Sequence, residues 1–194
     1  MNVTNEDAVQ SLARVEEVMA KTRQSLVSAY AGSFLILWGF IWVVSYLGTH
    51  FFLMWADWIW NISSALGIIG TVFIIRRQYG QGPARRNPSD KRFLLRTILF
   101  WPLVFAYAFA WLSIVKPSNG IELNAFLVTA VMFAYVVMGL WFGSWLMVIL
   151  GVVVTGFTLV GFHLIPAEYY CLWMAVTAGG GLLGTGLYMK LRWR

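Results

Sequence analysis

A single cysteine, Cys171, stands in a chain of 194 residues. It excludes an internal disulfide and any cysteine-rich metal or iron–sulfur centre. Charge is equally scarce. Acidic and basic residues make up 11% of the chain, against about 25% in soluble domains. Only eight acidic residues and two histidines, His50 and His163, are available for acid–base or metal chemistry. The zinc-protease pair HExxH and the nucleophile elbow GxSxG are both missing. Gly80-Gln81-Gly82 lacks the strand–helix context of a phosphate cradle. No Asp, Glu, Lys or His falls near the middle of any apolar run, which argues against an ion-coupled pump or a haem-carrying cytochrome. No catalytic motif remains, and an enzyme is not expected.

What the chain has instead is apolar surface. Hydrophobic residues make up 60% and the mean hydropathy is +0.72. Water would not tolerate so much of it, and hydrocarbon would. Each helical crossing takes about 20 residues, so this length accommodates six. The runs are long and unbroken, which calls for helices rather than alternating barrel strands. The fold class expected is an all-α integral membrane protein, a six-helix bundle preceded by an amphipathic helix on the cytoplasmic side. The spans are placed at 28–48, 55–75, 93–115, 124–141, 145–165 and 167–191.

The first 27 residues read differently. Thr4 and Asp7 resemble a capping box, and Val9, Leu12, Val15, Met19, Thr22 and Leu26 recur at helical steps. An amphipathic helix is predicted over 4–27, able to lead into the first span or to dock a partner. Asn5, Glu6 and Asp7 stand where a secretory signal would be basic.

Charge placement predicts orientation. With both termini inside the cell, thirteen of the fourteen basic residues are cytoplasmic and only Lys116 faces out. The positive-inside bias strongly favours that arrangement, and the expected location is the cell membrane. The loop carrying Arg76, Arg77, Arg85, Arg86, Lys91 and Arg92 then meets anionic lipid headgroups. This use of the net charge of +6 replaces a nucleic-acid reading. Aromatic residues are predicted to mark the two interfaces, with Tyr46, Trp55, Trp58, Trp111, Tyr169, Tyr170 and Trp173 on the outer side.

Small residues suggest where helices meet. Gly180 and Gly184 form a GxxxG row in the sixth span, and Gly67 and Thr71 continue a similar row in the second. These rows predict packing within the bundle or, for the sixth span, self-association. Pro102 should perturb the third span. A parallel duplication is also visible. Gly39, Gly48 and His50 match Gly151, Gly161 and His163 at offsets of 112 or 113, and Gly67, Gly70 and Thr71 match Gly181, Gly184 and Thr185 at 114.

Candidate binding residues form two groups. Asp57, Asn61 and Ser64 share one face of the second helix and could line a solute path. His50, His163, Asp57 and Glu168 would converge if the first and last hairpins met, giving a metal site or haem ligands. No cofactor is strongly indicated. The leading expectation is a non-catalytic membrane subunit or scaffold that binds another protein or a second copy of itself. A small-solute transporter or channel and a haem- or metal-binding redox subunit are the alternatives.

Overall fold

The computed structural model describes residues 14, 31–81 and 88–192, with side chains given for 14, 31–77 and 95–192. Apart from Arg14, the segment read as an amphipathic helix lies outside the described residues. So do Arg85, Arg86 and the side chains of Lys91 and Arg92.

Among the described residues every element is helical. Six helices are long and apolar enough to cross a membrane. We label them α1 (Ala31–Phe51), α2 (Ala56–Gln81), α3 (Pro88–Val115), α4 (Gly120–Phe142), α5 (Trp145–Leu164) and α6 (Ala167–Arg192). A short 3₁₀ turn, Leu53–Trp55, leads into α2.

Local chemistry sets the boundaries. α1 continues past Gly48, because that glycine sits in a packed seam and not at a helix end; Ile59 lies 3.3 Å from where its Cβ would be. α3 opens on Pro88, where a missing N–H costs nothing. It runs on through Pro102. α4 begins at Gly120, ahead of the expected 124, because a cap holds its first turn. Asn119 Oδ1 accepts from the Glu122 N–H at 2.9 Å, and the Glu122 carboxylate accepts from the Ser118 N–H at 2.7 Å. Gly143 ends α4 in the left-handed region at φ 68°, so that α5 can start two residues later at Trp145. α6 contains a π segment at Ala175–Gly179.

The six helices divide unequally. Over the most apolar 18-residue stretch of each helix, buried residues make up 33–39% in α1, α4, α5 and α6 but 6% in α2 and in α3. The first four share one core built on Leu35, Trp42, Met132, Tyr135, Val154, Met174 and Leu182. α2 leans on α1, and α3 packs on α4 through rings such as Trp101 and Tyr135, 5.7 Å apart.

Backbones meet at glycines. A Cβ on Gly39 would lie 2.4 Å from the Leu183 backbone nitrogen, and one on Gly186 2.8 Å from that of Ile36. Gly151 similarly faces the Met132 carbonyl at 2.7 Å, joining α5 to α4. The expected Gly180–Gly184 row is therefore displaced. α6 meets α1 along Gly179, Leu183 and Gly186, and meets α5 at Gly181. Having to serve both neighbours turns Gly184 outward, where no atom lies within 4 Å of its would-be Cβ.

Two of the four duplicated glycine pairs make duplicated contacts, whereas Gly39 and Gly151 meet different neighbours and Gly70 packs on Leu37 while its match Gly184 meets nothing within 4 Å. Gly48 packs on Ile59, and its match Gly161 packs on Trp173. Gly67 receives Trp38 and Ile41, and its match Gly181 receives Leu150 and Val154. Each partner pair is related by the same offsets of 112 to 114 residues. At these two positions the α1–α2 and α5–α6 hairpins share a packing register.

Candidate functional site

The α1–α2 hairpin positions the first group of candidate residues. One face of α2 belongs to α1. A Cβ on Gly67 would lie 2.8 Å from the Trp38 ring, and one on Gly70 2.9 Å from Leu37. Trp38 Nε1 donates to Thr71 Oγ1 at 3.1 Å. About 100° per residue around the helix then turns Asp57 and Asn61 away from that seam and leaves Ser64 at its edge. Asp57 and Asn61 are exposed and Ser64 is half-buried. Among the described residues none of the three side chains has a hydrogen bond or an ion pair. Together they form a polar stripe on the outside of a helix pair, and within one copy they enclose no path.

The second group does not assemble. His50 is half-buried with its ring edge-on to Phe51 at 5.0 Å, while His163 is exposed and edge-on to Phe162 at 4.9 Å. Glu168 is exposed. Among the described residues no three His, Cys, Asp or Glu side chains come together as a metal site. The expected meeting of the hairpins does occur, but through α1 and α6 backbones and not through the helix ends that carry the imidazoles.

At the opposite end of the bundle Arg76 and Arg77 are exposed on the last turns of α2. Arg192 donates to the Tyr188 hydroxyl and lies over its ring, leaving its charge at the same basic end.

The polar feature that the sequence reading did not single out lies in the core. Asn124 Oδ1 accepts from the Tyr46 hydroxyl at 3.0 Å and from the Tyr170 hydroxyl at 3.0 Å. One amide oxygen thereby ties α1, α4 and α6 together. Both tyrosines are only 2% exposed, which corrects their expected place in an interfacial belt. Burying a phenol without a partner costs about 1–3 kcal/mol, and Asn124 removes that cost twice. The available signal was an asparagine set in an otherwise apolar run, a residue that needs partners wherever water is absent. Nearby, Ser45 Oγ is fully buried with no hydrogen-bond partner among the described residues.

A cleft of about 250 Å³ opens beside this node, between the start of α4 and the turn from α5 to α6. Asn119, Glu122, Phe162 and Tyr170 line it. The Glu122 carboxylate is already engaged there by Ser118 and Asn119. Nothing in it resembles a nucleophile with an adjacent base.

Comparison of the chain with protein-family models, with curated proteins and with solved structures finds no match. The reading of function therefore rests on the geometry alone.

Proposed function

We propose that the chain is a multi-pass membrane protein with its basic end in the cytoplasm, acting as a non-catalytic subunit that holds another transmembrane helix against α2. One observation carries this reading. Asn61, exposed and unbonded, lies eight residues inside the Leu53–Arg77 span. An amide facing hydrocarbon with no partner loses several kcal/mol, about 4–8 on a water-to-alkane scale. A neighbouring helix that offers a donor or acceptor relieves that cost, and such bonds hold helices together in bilayers.

The basic residues support the orientation. Arg76, Arg77, Lys190 and Arg192 gather at one end and Lys116 alone lies at the other, as the positive-inside bias requires. The same end would sit against anionic headgroups, which attract each exposed Lys or Arg by about 1 kcal/mol.

Native mass measurement in mild detergent tests the proposal. The expected species is larger than one chain, and Asn61→Leu reduces it to a monomer without unfolding it. A wild-type protein that runs as a lone monomer and retains nothing through purification refutes it.

A further inference from the structure

The duplicated register supplies an internal comparison for the open face of α2. Adding 114 to Asp57, Asn61, Ser64 and Ile68 gives Cys171, Ala175, Ala178 and Leu182. On α6 these positions face the core: Ala175 is 4% exposed, Ala178 0% and Leu182 1%. Cys171 is half-buried against the same cluster. On α2 the matching positions look outward, with Asp57 and Asn61 exposed and Ile68 59% exposed. A face that is packed on one hairpin is vacant on its duplicate.

α3 is the other bare helix. Its α4 side is marked by buried Ala108 and by Trp101. Its far side carries Ala106, Ala110, Ser113 and, just past its end, Lys116, all exposed. Small residues in such a row permit close approach of another helix. Lys116 is the only Lys or Arg at this end of the described bundle, and Asp57 lies at the same end, because α2 begins where α3 finishes. Neither side chain has an ion pair among the described residues. Opposite charges stand at the same end on two helices whose outer faces are exposed.

From these features we infer that the occupant of the α2 face is α3 of a second copy. The pairing is twofold, with α2 of each copy on α3 of the other and Asp57 set against Lys116 of the partner subunit. A contact of this kind is self-complementary and closes at two subunits. The alternative twofold contact, α2 against α2, would place Asp57 on its own image, and like charges oppose that. The inference rests on the subunit reading above and names its partner.

The test is the oligomeric state of the full chain in mild detergent and in lipid nanodiscs, compared with D57K, K116D and the double variant. The wild type should be a dimer, and each single reversal should weaken it at least about tenfold, as close interfacial charge pairs do. The double variant should restore it. Thermal unfolding of each variant checks that the fold is retained. A double variant no better than either single one overturns the assignment, and so does a dimer indifferent to all three. If the wild type is instead one copy bound in fixed ratio to a different membrane protein through α2, the second-copy inference falls while the subunit reading stands. A lone monomer overturns both.

Discussion

The α5–α6 hairpin and the α1–α2 hairpin share two glycine contacts, at Gly161 and Gly48 and at Gly181 and Gly67, yet they end in opposite situations. α6 is enclosed by α1, α5 and the core, whereas α2 has one neighbour and a polar stripe on its free side. Packing within a hairpin therefore does not decide whether its outer helix is buried. The decision falls to the residues on the remaining face. Alanine and leucine at 175, 178 and 182 suit a closed core, and aspartate, asparagine and serine at 57, 61 and 64 do not. The difference teaches that the chemistry of the remaining face, and not the seam within a hairpin, sets whether the outer helix is enclosed.

The contrast can be broken most forcefully at the core. Asn124→Leu leaves two buried phenol hydroxyls without an acceptor, and unfolding measured by denaturant titration in detergent should show a loss of about 2–5 kcal/mol. Asn61→Leu, the corresponding change on the free face, should shift the stability of the single chain by less than about 0.5 kcal/mol. An equal loss at both sites would erase the distinction between the enclosed core and the free face of α2.

The next largest effect is expected at the seam between α1 and α6. Gly39→Ala drives a methyl group into the Leu183 backbone and should cost about 1–3 kcal/mol, the usual range for overpacking. Gly184→Ala has open space around it and should stabilise the helix by up to about 1 kcal/mol. Thermal midpoints of the two variants should move in opposite directions.

Smaller effects sharpen the picture within the first hairpin. Trp38→Phe removes the bond to Thr71 and should cost about 1 kcal/mol, read as looser α2 packing by hydrogen exchange. Ser45→Ala deletes a hydroxyl that has no partner. It should be neutral or mildly stabilising, by less than about 1 kcal/mol. A marked loss there would mean that Ser45 is hydrogen-bonded in the folded protein.

Much of this architecture was legible in the sequence. Six apolar runs set the number of helices but not their ends, since α2 runs on to Gln81, α3 opens at Pro88 and α4 at Gly120. Hairpin equivalence was visible in part, because Gly48 and Gly67 make the contacts of Gly161 and Gly181 while Gly39 and Gly70 do not make those of Gly151 and Gly184. Helix neighbours across the bundle were not legible. α6 holds glycines at 179, 180, 181, 184 and 186, so several small-residue rows were on offer. Which of them met α1 depended on α5 occupying the adjacent side. Tyr46 and Tyr170 misled for a related reason. A tyrosine near a helix end suits a headgroup layer as well as it suits a buried acceptor, and only the approach of Asn124 from a third helix separates the two. The stripe of Asp57, Asn61 and Ser64 was recognised, but its outward direction was hidden until α1 claimed the opposite face of α2.

The seam joining Ala31–Phe51 to Ala167–Arg192 has a consequence for biosynthesis. These two segments lie more than a hundred residues apart in the chain, and synthesis proceeds at about 5–20 residues per second. If the chain inserts into a bilayer as it is made, the earlier segment waits there for several seconds with Gly32 and Gly39 uncovered by the later one. Chaperoning by the insertion machinery, or any delay in releasing the last segment, would act on that interval.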